Sequence, residues 1–413
     1  MSITLNNINY KDNKIPIIFD KYDKLPIFNL QLVFKNSGYI NDTKLSGLTN
    51  ISAKILNEGT LKDGAIKFSS KLENNAIEIH TSIGLETVVI EISCLKEQYN
   101  IAIKYLKKLL KNPNINIKTI DKIKKLTISK LAQKENDFDY IASSNLKSII
   151  YKGTPLQNTS LGKIEDINNI KLKDVKQRLN EILNINNLIV VAGGDVNKKI
   201  LENDLKYIFE KLNKKKLNNK IKKINILENT KSLTIKKQTE QSYIYFASPL
   251  NINFNSKDIY KAKVASFILG SSGFGSRLME EIRVKNGLAY SVYGYFNYKK
   301  SHSNFTGYLQ TKLENTNKAK DMVNDIINNF IKNGITKEEL ESAKQFLTGS
   351  EPLRTETFSQ RLSRAFNLYY KNLPFNYNKK ELQLINNLTV QELNEFIKMH
   401  QEINKLTFSI VTK

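Results

Sequence analysis

The sequence predicts an α+β protein made of two homologous halves, each an antiparallel sheet packed against helices. Short segments that are rich in β-branched residues and alternate in polarity are mixed with longer amphipathic helical patterns. The two kinds of segment do not alternate strictly, which favours α+β organisation over a doubly wound parallel sheet. Several short sequences also recur at a nearly constant spacing, which indicates an internal duplication.

Three pairs of similar segments, in the same order in both halves, carry the duplication. They are INN at 167–169 and 385–387, INNL at 185–188 with INKL at 403–406, and YKGTPL from Tyr151 with YKNLPF from Tyr370. The first two pairs are 218 residues apart and the third is 219 residues apart. In each half an amphipathic helical pattern follows the INN segment, and an apolar strand follows the second segment. We therefore predict a repeated unit of roughly 200 residues.

A lysine-rich run separates the two halves. Residues 211–223, KLNKKKLNNKIKK, contain seven lysines and no aromatic residue. Such a run is typical of a solvated linker or an exposed helix end, and it also has the composition of a nucleic-acid-binding arm. We predict an N-terminal domain over 1–211, a linker over 212–235 and a C-terminal domain over 236–413.

Hydrophobic periodicity predicts the elements of the first half. A period of two, with many β-branched residues, indicates strands, and apolar residues three and four positions apart indicate helices. The strands are expected at 16–20, 27–35, 76–83, 87–95 and 189–194. The helices are expected at 45–57, 97–111, 117–136, 139–150 and 170–183.

The same criteria predict the elements of the second half. The strands are expected at 241–247, 290–297, 304–311 and 407–413. The helices are expected at 257–269, 276–284, 314–332, 336–348, 357–371 and 388–400. Thr336 with Glu339 and Thr389 with Glu392 form capping boxes, which place the starts of two of these helices.

The charge balance gives little support to a nucleic-acid-binding role. The 413 residues include 64 basic and 40 acidic side chains, for a net charge of +24. A nucleic-acid surface would concentrate this charge among arginine or aromatic residues. Here lysine is spread along the whole chain, together with abundant Asn and Ile, so we predict no nucleic-acid partner.

The cysteine count and the apolar runs limit the chemistry and the location. Cys94 is the single cysteine, which excludes an internal disulfide and a thiolate zinc cluster, and its context VVIEISCL predicts a buried core position. The N-terminal region has no apolar run of signal-peptide length, and no run approaches the ~20 apolar residues of a membrane span. We therefore predict no membrane partner and a cytoplasmic location, or a periplasmic one if the native N-terminus was trimmed.

One long motif carries the functional signal. Residues 270–296 read GSSGFGSRLMEEIRVKNGLAYSVYGYF. A glycine- and serine-rich loop opens a short helix that ends near Arg283, and a Lys-Asn-Gly turn leads to a strand with Tyr290, Val292 and Gly294 predicted on one face. The loop lacks the lysine of a P-loop and the acid expected about 20 residues on in a dinucleotide-binding fold, so it does not indicate a phosphate site.

The motif resembles the inverted zinc peptidase family, that of insulinase, pitrilysin and the mitochondrial processing peptidase. The order of glycine loop, SRL, EIR and GLAYSV is characteristic of the C-terminal half of that family. The segment GLTNISAKILNEGT at 47–60 and the duplicated halves fit the same family, so the resemblance covers nearly the whole chain.

The resemblance implies that the zinc site is lost. In catalytic members a helix in the first half carries His-x-x-Glu-His, which places two zinc ligands on one helical face beside a general base. Those positions fall here on Asn50, Ala53 and Lys54, and the third ligand, a glutamate, falls near Lys130. We therefore expect no metal in this chain. Leu48, Ile51 and Ile55 form an apolar stripe that keeps the helix for packing.

The resemblance also implies roles for residues of the second half. Arg283 and Tyr290 match the pair that binds the substrate backbone and donates hydrogen bonds to the oxyanion at the scissile carbonyl. Gly270, Gly273 and Gly275 are predicted to lie in a substrate-binding loop near the peptide path. The structural alternatives are that Arg283 only neutralises a helix C-terminus, that Tyr290 only packs on a sheet, and that the glycines only form a helix-start turn.

Together these features predict the zinc-free subunit of a heterodimeric zinc metallopeptidase of the bacterial type. Its partner would carry His-x-x-Glu-His and the zinc, and the two chains would hydrolyse unstructured peptides. Alone the chain is expected to be inactive, and a homodimer is an alternative assembly in the partner's absence. The other hypotheses are a catalytically silent scaffold, like the respiratory-complex core subunits of the same family, and a polyanion-binding protein.

Overall fold

The computed structural model describes residues 3–216, 220–228 and 231–413. Two compact units are present. Unit 1 comprises Met1–Ala132, Asn158–Ile221 and Glu356–Asn367, and unit 2 comprises Gln133–Gln157, Lys222–Thr355 and Leu368–Lys413. Each unit therefore takes in one segment from the other half of the sequence. The boundaries at 1–211, 212–235 and 236–413 stay a prediction, and residues 217–219 and 229–230 of the predicted linker lie outside the described residues.

Eleven strands occur in the described residues. They are β1 (Ile3–Tyr10), β2 (Asn13–Lys21), β3 (Ile27–Lys35), β4 (Glu78–Ile83), β5 (Thr87–Leu95), β6 (Leu188–Gly194), β7 (Leu233–Lys236), β8 (Gln241–Pro249), β9 (Ala289–Tyr298), β10 (Ser303–Lys312) and β11 (Thr407–Thr412).

Fourteen α-helices occur in the same part of the chain. They are α1 (Leu48–Lys54), α2 (Gly64–Glu73), α3 (Tyr99–Lys111), α4 (Ile117–Lys134), α5 (Phe138–Ile150), α6 (Ile164–Asn169), α7 (Leu172–Ile182), α8 (Lys198–Phe209), α9 (Ile259–Ser266), α10 (Thr316–Asn333), α11 (Lys337–Gly349), α12 (Phe358–Tyr370), α13 (Tyr377–Asn387) and α14 (Val390–Met399). Two π-helical segments, Phe267–Ser271 and Met279–Lys285, flank the glycine-rich loop. No helix among the described residues has both the length and the apolar character needed to cross a membrane.

The two sheets have the same topology, which confirms the predicted duplication. The unit 1 sheet has the order β1-β2-β6-β3-β5-β4, and the unit 2 sheet has the order β7-β11-β8-β10-β9. In each sheet the last strand of the half, β6 or β11, pairs in parallel with one neighbour and antiparallel with the other. Apart from β1, each strand of the first sheet therefore has an equivalent in the second.

The alternation of apolar residues places one face of each sheet in a core. In unit 1, Leu30 and Leu32 of β3 pair with Ile92 and Ile90 of β5, and all four are fully buried. The core also contains Cys94, whose thiol has a pKa raised to about 11 by burial. A thiol with this pKa stays protonated and unreactive at neutral pH, so the predicted core role of Cys94 is confirmed.

The unit composition reflects an exchange of equivalent helices. α5 and α12 each end at the repeated segment that begins with Tyr151 or Tyr370. In unit 2, Asp139 of α5 accepts hydrogen bonds from the Tyr245 hydroxyl and the Gln310 amide, both at 3.1 Å.

In unit 1 the first residues of α12 contact β2 and the chain that follows it. Arg361 Nε donates to the buried carboxylate of Asp20 at 3.0 Å, and the ring of Phe358 stacks on Tyr22 at 5.4 Å. Polar and aromatic contacts of this kind fix the exchanged segment within its unit.

Every strand and helix predicted from periodicity is present, with differences at its ends. The helix predicted at 45–57 is shorter, because α1 ends at Lys54 and a 3-10 turn follows. The elements β1, β7, α2, α6, α8 and α13 were not predicted. β1 is an edge strand with exposed asparagines, so its apolar alternation is weak.

Candidate functional site

Apolar side chains attach α1 to the unit 1 core. Ile51 and Ile55 are fully buried and Leu48 packs against the same core, which confirms the predicted stripe. At the exit, Gly59 has a φ of +71°, and a Cβ there would lie 2.3 Å from the Gly64 carbonyl oxygen. The turn after the helix therefore requires glycine.

The residues at the former zinc positions do not fit a metal ion. Asn50 is only 4% exposed, and its Nδ2 has no hydrogen-bond partner in the described chain. Ala53 has no ligating atom. The pKa of Lys54 is lowered, first by burial and then by the positive charge of Lys130. Two cations repel Zn²⁺, and none of the four side chains offers it an anionic ligand.

No alternative metal site replaces the lost one in the described chain. Among the residues that the structure describes, no three His, Cys, Asp or Glu side chains form a group that could hold a metal. That the purified chain holds no zinc stays a prediction.

The glycine-rich loop spans residues 272–276, and the glycines in it and just before it are required for two different reasons. Gly270, just before the loop, is buried, and a Cβ there would lie 2.6 Å from the backbone nitrogen of Gly294 in β9. Gly273 and Gly275 have φ angles of +74° and +84°, which favour glycine. Ser276 is buried and donates its hydroxyl to the Gly273 carbonyl at 2.7 Å, which fixes the turn. The substrate-binding role of the three glycines stays a prediction.

Arg283 lies in an exposed cluster with two aromatic rings. Its Cζ is 5.1 Å from the ring centroid of Tyr290 and 4.9 Å from that of Phe274, at the tip of the glycine-rich loop. Tyr290 is 78% exposed and Phe274 is 69% exposed. Within the described chain, neither the guanidinium nor the Tyr290 hydroxyl has a hydrogen-bond or ion-pair partner. Cation–π contacts hold the guanidinium without occupying its N–H donors.

Arg277, six residues earlier, shows the opposite arrangement. Its Nε and Nη2 donate to the two carboxylate oxygens of Glu339, and Nη2 also donates to the Gly334 carbonyl at 2.6 Å. This bidentate pair ties the loop region to the start of α11. The donors of Arg277 are therefore used within the unit, whereas those of Arg283 are available to a ligand.

A β-bulge accounts for the exposure of Tyr290. Leu309 of β10 pairs with Val292, but Thr311 pairs with Ala289, so β9 has an additional residue across this step. Ala289 and Val292 are buried while Tyr290 points to solvent. The prediction that Tyr290, Val292 and Gly294 share one face is therefore wrong for Tyr290. Bulges redirect side chains in this way next to functional sites.

Arg283 and Tyr290 lie together, but three features around them were not predicted. These are Phe274, the bulge and the π-helical segment that carries Arg283. The sequence could have predicted the exposure of Phe274. It lies between two glycines in a polar loop, where an apolar side chain has no neighbouring apolar residues to pack against. The bulge and the π-helix have no comparable signal.

Comparisons with known proteins agree with this fold. The model of the insulinase family, peptidase family M16, matches residues 28–163, and the model described as the peptidase M16 inactive domain matches residues 169–347. The chain belongs to this family of peptidases and peptidase-like proteins.

Individual members of the family and one solved structure are similar to the chain over different shares of its length. It is 41% identical to the non-peptidase homolog YmxG of Helicobacter pylori, over 97% of this chain and 92% of the relative. It is 23% identical to the beta subunit of the mitochondrial-processing peptidase of Caenorhabditis elegans, over 40% of this chain and 36% of that one. The crystal structure of a peptidase M16 inactive domain from Pseudomonas fluorescens superposes with a TM-score of 0.90 at 23% identity, covering 99% of this chain and 98% of that one.

These comparisons confirm the family that residues 47–60 and 270–296 resemble, and they confirm the predicted α+β fold class. They do not test the roles of Arg283, Tyr290 and the glycine-rich loop.

Proposed function

We propose that this chain is the metal-free subunit of a two-chain zinc peptidase, to which it supplies Arg283 and Tyr290. The partner would carry His-x-x-Glu-His and hold the zinc. The observation that carries the proposal is the contrast between the two halves. The zinc positions are occupied by Asn50, Ala53, Lys54 and Lys130, whereas Tyr290 is exposed and Arg283 is half-buried, and the donors of both are available.

The chemistry of the retained pair suits peptide hydrolysis. The guanidinium and the phenol hydroxyl are fixed hydrogen-bond donors, and their placement suits a substrate carbonyl on which negative charge develops. Loss of one such donor costs ~3–4 kcal/mol of transition-state stabilisation in peptidases. Tyr290 is turned outward by the bulge, and Arg283 is held by aromatic rings, so both donors are oriented before a substrate arrives.

Relatives support a subunit role. The names of two processing-peptidase relatives describe them as beta subunits, and the H. pylori relative is named a non-peptidase homolog. A chain that has lost its metal ligands but kept its oxyanion donors needs the ligands from another chain. A homodimer would lack zinc ligands in both copies, so we expect it to be inactive.

The test is to mix the purified chain with a His-x-x-Glu-His relative from the same source. The mixture should gain a chelator-sensitive peptidase activity that neither chain shows alone. In the mixture, Tyr290→Phe should lower kcat ~100-fold or more, and Arg283→Ala should be at least as harmful.

Two matched changes serve as controls. Tyr295→Phe removes a hydroxyl from the same strand, and Lys285→Ala removes an exposed charge that pairs with Glu281 on the same helix. Both should leave kcat within about twofold, and complex formation and partner zinc content should survive all four changes. If Tyr290→Phe and Arg283→Ala leave the mixed activity unchanged, the chain is a scaffold.

A further inference from the structure

Three strands of unit 1 have their carboxyl ends at the same edge of the sheet. β2 and β6 run parallel, and β5 has the same direction because β5 and β6 both pair antiparallel with β3. Lys21 is the last residue of β2, Lys96 follows β5, and residues 195–199 follow β6. These segments line a cavity of about 870 Å³. Its volume is in the range of small-molecule binding sites.

Lysines give this cavity a positive charge. Of the described residues that line it, one is acidic, Asp195, and four are lysines, namely Lys21, Lys96, Lys198 and Lys199. Hydrogen bonds from Lys21 and Lys96 lower the pKa of the Asp195 carboxyl, so this group is ionised at neutral pH. Four ammonium groups and one carboxylate give the lining a net charge of +3. A concave surface with this charge favours an anionic ligand.

Two of the ammonium groups are held in place within the unit. Lys21 Nζ and Lys96 Nζ bind the two oxygens of the Asp195 carboxylate, at 2.6 Å and 2.5 Å. Backbone hydrogen bonds fix the segments that carry them, because Asp195 N donates to the Ile27 carbonyl and Lys96 N donates to the Pro26 carbonyl, both at 2.9 Å. An ammonium group has three N–H donors, so Lys96 can bind Asp195 and a ligand at the same time.

The start of α8 adds a further ammonium group to the cavity. Lys199 is exposed, and within the described chain it has no ion-pair partner. The Asn197 side chain accepts hydrogen bonds from the backbone N–H groups of Lys199 and Ile200, so the helix start is already capped. The donors that an anion can use here are therefore ammonium groups, and those of Lys96 and Lys199 are the best placed.

The remaining lining adds an apolar surface. Phe19, Tyr99 and Val196 are buried, and Ile200 is 55% exposed. An apolar or planar group can pack on these side chains while an anionic group contacts the lysines. Lysine binds phosphate as a point charge, and a phosphate monoester, with up to two negative charges, matches the lining better than a monocarboxylate does.

We propose that this cavity binds a phosphate monoester with an apolar or planar body, in which Lys96 and Lys199 contact the phosphate and Ile200 contacts the body. All of these residues belong to unit 1, and the site does not depend on the proposed function. A soluble ester and a lipid headgroup both supply this chemistry, and the experiment distinguishes the two sources.

The experiment uses the purified full chain. AMP is the soluble probe, adenosine lacks its phosphate, and inorganic phosphate lacks its planar body. In isothermal titration calorimetry AMP should bind at one site per chain and at least tenfold more tightly than either, and added salt should weaken it. Vesicles of phosphatidylcholine with and without phosphatidic acid, whose headgroup is a phosphate monoester, test the lipid source by co-sedimentation.

Variants of the lining test the assignment. Lys96→Gln and Lys199→Gln should each weaken binding of the responding probe at least tenfold. Ile200→Glu, which places a carboxylate at an exposed position of the cavity, should abolish it. Lys173→Gln is the matched control, because it removes an exposed lysine of α7 that does not line the cavity, and it should change the affinity by less than about twofold.

Binding of AMP with these losses assigns the site to a soluble ester, and binding of the phosphatidic acid vesicles alone, with the same losses, assigns it to a lipid headgroup. The proposal is overturned if neither probe binds, or if adenosine binds as tightly as AMP. It is also overturned if Lys173→Gln weakens binding as much as Lys199→Gln does, because the lysines then act only as part of a general positive surface.

Discussion

At the scale of single residues, the charge of Lys54, at a position that matches the zinc motif, destabilises the folded chain. Lys54 is half-buried on α1, and its pKa is lowered by burial and by Lys130. An amine whose pKa is lower in the folded than in the unfolded chain binds fewer protons when folded. The free energy of unfolding therefore rises as the pH increases through the folded pKa towards 10.5.

We accordingly predict that Lys54→Met stabilises the chain. The substitution keeps a long unbranched side chain and removes the buried charge, so Tm at pH 7 should rise. The increase of Tm between pH 7 and pH 10 should become smaller than in wild type. Thermal unfolding followed by circular dichroism at several pH values measures both effects.

The control is Lys62→Met, which removes an exposed lysine and should change Tm little at any of these pH values. A lower Tm in Lys54→Met at pH 7 would show that the Lys54 amine has a favourable partner in the folded chain.

At the scale of elements, a buried arginine joins α7 to the start of α1. Arg178 is 5% exposed, its Nε donates to the Thr49 hydroxyl at 2.9 Å, and its Nη2 donates to the carbonyls of Ser37 and Gly38. Thr49 in turn donates to the buried carboxylate of Asp42. A polar network therefore holds α1, the helix that matches the zinc-binding helix of the catalytic relatives, in its position.

We predict that Arg178→Ala lowers the free energy of unfolding by ~3–5 kcal/mol, because it leaves two carbonyls and a carboxylate without a compensating cation. Burial raises the pKa of Asp42 to about 6, and Thr49 and Arg178 oppose that rise. The protonated carboxyl thus contributes stability that is lost as the pH rises through about 6, and in Arg178→Ala this loss should extend to higher pH. Lys176→Ala, at an exposed position of the same helix, should change stability by less than about 0.5 kcal/mol.

The π-helical segment before the glycine-rich loop yields a second prediction at this scale. A Cβ at Gly270 would lie 2.6 Å from Gly294 N and 2.8 Å from Leu278 Cδ1. Gly270→Ala should therefore lower the free energy of unfolding by ~1–3 kcal/mol through overpacking. Gly349→Ala has no atom within 4 Å of the new Cβ and lies at the end of α11, so it should be neutral or slightly stabilising. Equal stability of the two variants in urea unfolding would contradict this packing role.

Some features of the elements could be predicted from the sequence and others could not. The stripe of Ile51 and Ile55 and the capping boxes depend on neighbours three or four residues away, so the local pattern was sufficient. The bulge at Tyr290 depends on how Leu309 and Thr311 pair with β9, which no local pattern contains. The exchange of α5 and α12 between units was not predicted for a similar reason. The apolar face of a helix does not determine which of two sheets the helix packs against.

At the scale of the whole molecule, the two halves share a topology but differ at equivalent strands. β4 pairs with β5 without a shift in register, whereas its equivalent β9 pairs with β10 through the bulge that exposes Tyr290. The first half has no metal ligand at the positions that match the zinc motif, and the second half has the donors of Arg283 and Tyr290 near its edge strand β9. The two halves therefore share a topology but carry different functional side chains.

This asymmetry leads to the prediction that the chain binds no stoichiometric zinc. Lys54 and Lys130 stand at positions that match metal ligands of the catalytic relatives, and Asn50 and Ala53 supply no anionic ligand or base. Elemental analysis of the purified chain should give well under ~0.1 zinc per chain, and a chelator should leave Tm unchanged, because a metal bound only by the folded state would raise it. The His-x-x-Glu-His relative, prepared in parallel, should contain about one zinc per chain and lose Tm on chelation. One tightly held zinc in this chain, whose removal lowers Tm, would mean that other side chains have replaced the lost ligands, and the division of labour between two subunits would then be wrong.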